Sequence, residues 1–118
     1  MNVRRRDVVL VDFPFPAGGG SKVRPALVVQ KDRDNARLPN TIIVQITGNI
    51  QRAHEPTQVL VDVSTLDGQQ TGLQFTSVVN CLNIVTLDKK LILRKLGEAS
   101  AVLMQPVEQA LKAALELA

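Results

Sequence analysis

The segment DVVLVDFPFPAGGGSKVRPALVVQ, residues 7–30, decides how the rest of the chain is arranged. Its two ends, residues 7–13 and 25–30, are short runs of β-branched and aliphatic side chains, which favour buried strands over a helix. Prolines end the first run, and the glycines at 18–20 leave the connection almost unrestrained. The segment therefore predicts two strands joined by a flexible glycine-rich loop.

Two cations, Lys22 and Arg24, stand between this loop and the second predicted strand. A loop that is anchored on stiff strands and ends in a guanidinium has the features of an anion-binding device. The run GGGSK superficially resembles a phosphate-binding loop, but its glycine spacing is wrong, so ATP or GTP binding is not expected. Metal-ligand spacings and the common hydrolase motifs are missing as well, so we expect no metal and no cofactor.

The bulk properties predict one soluble globular domain over residues 1–118. Apolar residues make up 45% of the chain and charged residues 21%, which is ordinary for such a domain. Three phenylalanines are the only aromatic residues, so the core must be aliphatic. The net charge of +3 leans towards anionic partners, although many unrelated proteins have a similar balance.

Cysteine usage and hydropathy indicate a cytoplasmic protein. The single Cys81 excludes an internal disulfide and lies in an apolar run, where a packed thiol is expected. No apolar stretch approaches membrane-spanning length, so no membrane partner is expected. The three arginines at 4–6 are followed by Asp7 and a short apolar run, which does not suit a secretion signal; we expect this start to be frayed.

The remaining chain predicts more short strands and one terminal helix. Further strands are expected at 41–47, 58–63, 77–82 with an extension to 85, and 91–96, whereas 31–40 is interpreted as a loop and Asp67-Gly68 as a turn. An amphipathic stripe follows Ser100, a good N-cap, but Pro106 implies a later start or a kinked first turn. We therefore predict an α+β, mainly β fold: a bent antiparallel sheet or partial barrel with a C-terminal helix.

The chain resembles the MazF/PemK family of toxin endoribonucleases over nearly its whole length. The resemblance is carried, in the family's order, by DVVLVDFPFP, RPALVV, TIIVQITGNI, GLQFTSVVNCLNIVTLD, LRKLG and VEQALKAAL. It implies a CcdB/MazF-like, SH3-like partial barrel of five to seven strands with a C-terminal helix, and a homodimer. It also implies catalytic roles for Arg24 and Thr47. Without it, these residues would be interpreted as a surface arginine in a salt bridge and a hydroxyl capping a turn.

The resemblance further implies a sequence-specific, metal-independent endoribonuclease. Such an enzyme cleaves single-stranded mRNA to 2′,3′-cyclic phosphate and 5′-hydroxyl ends, and it acts as the toxin of a pair with an acidic antitoxin protein. RNA carries its own nucleophile, the 2′-hydroxyl, so a guanidinium that stabilises the growing phosphoryl charge and a positioned hydroxyl are suited to this chemistry.

The sequence leaves the proton carrier open. Arginine, with a pKa above about 12, is a poor general base. His54 is a lone histidine beside Glu55 and is interpreted as a surface residue. Some family members carry Arg-Cys-Asp where this chain has Asn80-Cys81-Leu82, and His or Glu in the first loop where it has glycines and serine, so no acid or base is transferred from them.

Several residues are candidates for RNA binding, with a solvated charged surface as the alternative for the cations. Cations suit phosphates, an aromatic side chain suits an unpaired base, and amides and hydroxyls suit base edges. These candidates are Lys22, Arg52, Phe15, Asn49, Gln74 and Thr76. Phe75 also has a stacking ring, but we expect it in the core.

Two other functions remain open. A related toxin family of this fold, CcdB-like, inhibits DNA gyrase without catalysis, and a small barrel can also simply bind RNA or a peptide. The motif RPALVV together with the threonine of ITGNI favours the nuclease.

Overall fold

A computed structural model describes residues 2–14 and 21–118, which form one antiparallel sheet with three α-helices. The sheet has six strands in the order β4-β5-β3-β2-β1-β6. Their bounds are β1 Asp7–Pro14, β2 Ser21–Val28, β3 Asn40–Thr47, β4 Gln58–Val61, β5 Ser77–Asp88 and β6 Ile92–Glu98. The helices are α1 Asp32–Arg37, α2 Leu66–Gln70 and α3 Ala101–Leu115, and a short 3-10 helix spans Lys89–Leu91. The predicted glycine loop at 18–20 lies outside the described residues.

Both faces of the central strands are buried, which explains their continuous apolar runs. Val8 and Leu27 share one face and belong to a cluster that α3 covers with Met104, Val107 and Ala110. Residues next to Val8 and Leu27 in their strands point to the other face and belong to a second cluster. Its members come from the N-terminal turn and from five strands: Val3, Val9, Val11, Ala26, Val28, Ile43, Leu87 and Ile92. The sheet therefore curls around this second cluster as a partial barrel.

An irregularity in β5 gives the sheet part of its bend. In the pairing of β3 with β5, Val44 lies opposite Ile84, but the next residue, Gln45, lies opposite Asn80. Residues 81–83 are thus extra on the β5 side, and such bulges bend and twist a strand. Before this point β5 pairs with both β4 and β3, whereas after it β5 pairs with β3 among the described strands. The predicted mainly β fold of this strand number is confirmed.

The C-terminal helix runs through its proline. Ser100 is the N-cap, and its hydroxyl accepts a hydrogen bond from the Leu103 amide at 3.0 Å. Pro106 lies within α3 on the exposed side, between the buried Met104 and Val107. The helix neither starts at Pro106 nor breaks there, because apolar burial on the opposite side outweighs one lost backbone hydrogen bond. No described helix is long and apolar enough to cross a membrane.

Three local predictions were wrong. Residues 31–40 contain α1, and Asp67-Gly68 lies inside α2. Helix α1 is held by hydrogen bonds instead of an apolar stripe: the buried Asn35 amide donates to the Gln30 carbonyl, and its oxygen accepts from the Thr41 hydroxyl at 2.7 Å. A sequence pattern of apolar periodicity cannot detect such a helix.

The N-terminal arginines are ordered, which is the third difference. Val3 is buried, the Arg4 amide donates to the Asp7 carboxylate at 2.9 Å, and Arg6 has a left-handed φ of 83°. The Arg5 guanidinium bonds Glu108 of α3 at 3.1 Å. This turn closes one end of the curled sheet, so the expected frayed start does not exist from residue 2 onward.

Replacing Gly72 by alanine is expected to lower the free energy of unfolding by about 2–4 kcal/mol, as measured by urea denaturation. Gly72 has a φ of +74°, and an added Cβ would lie 2.0 Å from the Leu96 carbonyl oxygen. Left-handed backbone and overpacking each contribute about 1–3 kcal/mol. Gly48→Ala is the control, because its Cβ would meet only the movable ring of Phe75, and it should cost less than about 1 kcal/mol. Equal losses in the two variants would contradict this account.

The Cys81 thiol is expected to resist alkylation in the folded protein. It is fully buried, and burial raises its pKa to about 11. Only about one thiol in a thousand would be ionised at pH 8, and the thiolate is the reactive form. Iodoacetamide labelling followed by mass spectrometry should therefore be slow in buffer and fast in urea at the same pH. A native rate that matches the rate in urea would show that this packing is wrong.

Candidate active site

A cleft of about 400 Å³ opens where β2 and β3 separate. Its walls come from the middle of β1, the first half of β2, the end of β3, the connection from α2 to β5, and β6. The lining residues are Leu10, Arg24, Pro25, Ile46, Thr47, Gly48, Gly72, Leu73, Gln74, Phe75, Ser77, Arg94 and Leu96. Both residues that the resemblance singled out for catalysis, Arg24 and Thr47, are among them.

The strand register explains why these two residues meet. The β2–β3 ladder pairs Val28 with Ile43, Leu27 with Val44 and Ala26 with Gln45, and there it ends. Two further residues in the same register would set Arg24 opposite Thr47. Pro25 is the residue of β2 just beyond the last pair, and it has no N–H to donate to β3. The two strands therefore diverge at this position.

Arg24 lies inside strand β2, whereas the sequence pattern predicted it at the start of a strand. Strand β2 begins at Ser21, and its first half is held by β1, where Arg24 pairs with Val11. Its guanidinium is exposed and makes no ion pair or side-chain hydrogen bond with the described residues. The salt bridge that a plain surface arginine would form is therefore not seen, and the side chain is available to an anion.

The Thr47 hydroxyl has a defined orientation. Its oxygen accepts a hydrogen bond from the Asn49 amide at 3.1 Å, and the Asn49 side-chain oxygen accepts from the Gln51 amide at 3.1 Å. These two bonds fix the turn after β3. Because the Thr47 oxygen is the acceptor in this bond, its own proton is left to donate to a group in the cleft. The turn-capping and ligand-binding interpretations of Thr47 are thus compatible.

Close backbone packing fixes the wall formed by residues 72–77. Gly72 lies against the Leu96 carbonyl, and Gly97 lies against the backbone of Gln70 and Thr71, with no room for a Cβ at either glycine. The Ser77 hydroxyl donates to the Phe75 carbonyl at 2.8 Å. This wall therefore belongs to the rigid part of the fold.

Phe75 is not in the core, contrary to expectation. Its side chain is 63% exposed at the rim of the cleft, where its ring contacts Gly48. The sequence favoured burial of Phe75 because its ring is large and apolar. The sequence does not show that this position lies at the rim of a cleft.

The charge of the cleft has one sign. Among its described lining residues the charged ones are Arg24 and Arg94, and no carboxylate or histidine is present. Arg94 pairs with Leu10 in the β1–β6 register, which brings it to the opposite side of the cleft from Thr47. Sequence reasoning missed Arg94, because only the pairing of β6 with β1 brings it there. A concave surface lined by like charges attracts anions.

The structure places the other candidates at different distances from this cleft. Gln74 lines it, and Asn49 supports Thr47 from the adjoining turn.

Lys22 is exposed on β2 opposite Phe13, outside the lining residues. The Thr76 hydroxyl accepts from the Val63 amide at 3.3 Å and so is engaged elsewhere. Phe15 lies outside the described residues.

Arg52 is engaged in the turn before β4. It holds Glu55 through two hydrogen bonds of 2.8 and 2.9 Å, which keep the pKa of that carboxyl below its ordinary value. His54 is exposed in the same turn and does not line the cleft. Within residues 2–14 and 21–118, no three His, Cys, Asp or Glu side chains are grouped so that they could hold a metal ion.

The fold and the site define a small β protein with an anion-attracting cleft at the divergent ends of two strands. Residues 4–115 match the family described as PemK-like, MazF-like toxin of type II toxin-antitoxin system. The chain belongs to this PemK/MazF family of toxin endoribonucleases.

Individual relatives agree with this assignment. The chain is 34% identical to endoribonuclease EndoA of Bacillus subtilis over 118 residues, covering 99% of this chain and 97% of that one. It is 37% identical to endoribonuclease MazF6 of Mycobacterium tuberculosis over 119 residues, covering 99% and 100%. A solved mycobacterial endoribonuclease in complex with its cognate antitoxin superimposes with a TM-score of 0.78 at 29% identity, covering 98% of this chain and 97% of that chain.

Proposed function

We propose that the protein cleaves single-stranded RNA in the cleft through attack of a ribose 2′-hydroxyl on its own phosphate, without a metal ion. The observation that carries this proposal is the position of Arg24 and Thr47 on facing strands, at the point where β2 and β3 separate. A guanidinium with no ion pair or side-chain hydrogen bond to a described residue and an oriented hydroxyl donor line the same cleft, and both are donors to phosphoryl oxygens.

The proposed reaction has one displacement. The 2′-oxygen forms a bond to phosphorus and gives up its proton, the bond from phosphorus to the 5′-oxygen breaks, and that oxygen takes a proton. The products are a 2′,3′-cyclic phosphate and a 5′-hydroxyl. Negative charge on the nonbridging oxygens grows towards the transition state, so the hydrogen bonds from Arg24 and Thr47 strengthen as the reaction proceeds.

Proton transfer is proposed to use solvent. The described lining residues include no histidine, carboxylate or thiol, and a guanidinium is a poor general base. Rate acceleration then comes from charge stabilisation and from holding the 2′-oxygen in line with the leaving oxygen.

We propose that RNA is gripped around this centre by the polar candidates. Gln74 in the lining is the best placed for base edges, and Asn49 beside it can add its side-chain N–H donors, since its side-chain oxygen already accepts from the Gln51 amide; both would contribute to sequence choice. Lys22, exposed on β2 outside the lining residues, would contact the RNA as it leaves the cleft, and Phe15 stays a stacking candidate on the sequence alone. Arg52 and Thr76 must give up existing hydrogen bonds to bind RNA, so smaller contributions are expected from them.

The proposed biological role is that of a toxin held in check by an acidic antitoxin. A cleft lined by Arg24 and Arg94 suits an acidic segment as well as RNA, so the antitoxin would block the substrate site by competition. We further propose a homodimer, a single toxin domain over the whole chain, and a cytoplasmic location, for which the buried free thiol of Cys81 is suited.

The proposed chemistry predicts that Arg24→Ala lowers kcat at least about a hundredfold and that Thr47→Val lowers it about tenfold to a hundredfold. Cleavage of a long RNA would be followed in EDTA, with the cut ends mapped. Arg33→Ala, which removes an exposed arginine of α1 far from the lining residues, is the matched control and should cleave as the wild type does.

An oligonucleotide with deoxyribose at the mapped cut position should bind but stay intact. Cleavage of that oligonucleotide at the normal rate would refute attack by the 2′-hydroxyl. An Arg24→Ala variant as active as Arg33→Ala would refute the role of Arg24.

A further inference from the structure

Phe75 presents a largely exposed aromatic ring beside the proposed catalytic pair. If Gly48 carried a Cβ, that atom would lie 2.8 Å from one ring atom, Cε2, and 3.7 Å from each of its two ring neighbours. The distances to the two neighbours are equal and nearly as long as the ring geometry allows, which places the Cβ position close to the plane of the ring. Gly48 therefore meets the edge of Phe75 and covers neither of its faces.

The backbone holds this ring at the rim of the cleft. The carbonyl of Phe75 accepts the Ser77 hydroxyl at 2.8 Å, and the segment starts at Gly72, which is packed on β6. The ring is 63% exposed although a large apolar side chain gains stability from burial. The ring contacts Gly48, which is adjacent in sequence to Thr47. A group stacked on the ring would therefore also be close to the Thr47 hydroxyl.

We propose that Phe75 is the platform on which the unpaired base next to the scissile phosphate stacks, on the Thr47 side of the cleft. This inference rests on the proposed function, since it assigns the position of one nucleotide of the same substrate. A nucleobase is the ligand that fits an exposed aromatic ring beside a cleft lined by arginines, because it offers a flat π-face attached to an anionic backbone. Stacking accepts every base, so Phe75 supplies affinity and orientation, and sequence choice falls to polar neighbours.

The composition of the chain allows a direct test. The protein contains no Trp and no Tyr, so Phe75→Trp introduces its only indole fluorophore. Titration with an uncleavable oligonucleotide, deoxyribose-substituted at the mapped cut position, should quench this emission in a saturable way. Leu66→Trp is the matched control, since Leu66 is 84% exposed on α2 and does not line the cleft; its emission should not change.

A second variant measures the contribution of the ring. Phe75→Leu keeps an apolar side chain and removes the π-face, and it should raise KM and the Kd of the uncleavable oligonucleotide about tenfold or more, with kcat within about twofold. Phe75→Tyr should retain wild-type KM. An unchanged KM in Phe75→Leu would overturn the proposal, as would Trp emission unaffected by bound RNA.

Emission that changes with protein concentration alone, without RNA, would assign the ring to a protein contact and also overturn the proposal. The proposed cleavage chemistry fails separately: it fails if wild-type protein leaves RNA intact. In that case an unmodified oligonucleotide is already uncleavable, and the fluorescence titration with it still reports on stacking.

A separate observation concerns Arg94 on the other side of the cleft. In the register, Arg94 lies opposite Leu10 of β1, and Leu10 lies opposite Pro25 of β2. Adjacent strands are about 4.8 Å apart, so the backbones of β6 and β2 are roughly 10 Å apart along this row. Arg94 is exposed and has no ion pair or side-chain hydrogen bond with a described residue.

The geometry points to Arg94 as a positioning residue that holds the phosphate neighbouring the scissile one, on the side away from Phe75. Strand β1 lies between the strands that carry Arg24 and Arg94, and a flexible RNA strand that crosses the sheet brings a second phosphate to Arg94. This assignment also rests on the proposed function.

Salt dependence separates a phosphate contact from a structural effect. Each phosphate contact on single-stranded nucleic acid contributes about 0.7 to the slope of log K against log salt concentration. Arg94→Gln should reduce the magnitude of this slope by about 0.7 and raise KM several-fold, with kcat within about twofold. Arg33→Gln, the control, should leave both values at the wild-type level. An unchanged slope in Arg94→Gln would refute the assignment even if its KM rises.

Discussion

The separation of β2 from β3 beyond the pair Ala26–Gln45 is the constraint on which the cleft depends. Up to that pair the two strands share a ladder and bury their side chains on both faces. Past it, β2 remains paired with β1 and β3 remains paired with β5, so each strand keeps a rigid partner while the space between them opens. Arg24 and Thr47 are therefore held on stiff backbone although they face a cavity, and preorganised donors of this kind are the ones that stabilise developing charge.

The opposite wall depends on contacts that only glycine permits. Gly72 and Gly97 bring the connection from α2 to β5 against β6 at backbone distance, and Gly48 leaves room for the ring of Phe75. The cleft is thus closed by main chain on one side and opened by strand divergence on the other.

The proposed chemistry fits a site with no titrating side chain among its described lining residues. In the proposed reaction the substrate supplies the nucleophile, and the protein supplies two positive side chains and a hydroxyl in a concave space. The same charges suit an acidic protein segment, so one surface can serve both the proposed substrate and the proposed inhibitor. In this view, inhibition requires no conformational switch and follows from competition for the cleft.

The sequence by itself determined the strands with continuous apolar runs, the terminal helix with its Ser100 cap, and the family, whose motifs include Arg24 and Thr47. These features are local, because burial on both faces and capping leave direct patterns of residue types. Helix α1 escaped detection because hydrogen bonds of Asn35 hold it, and Arg94 and the exposure of Phe75 escaped because they depend on which strands pair. Only the tertiary structure decided those points, since register and cross-strand neighbours join residues far apart in the chain.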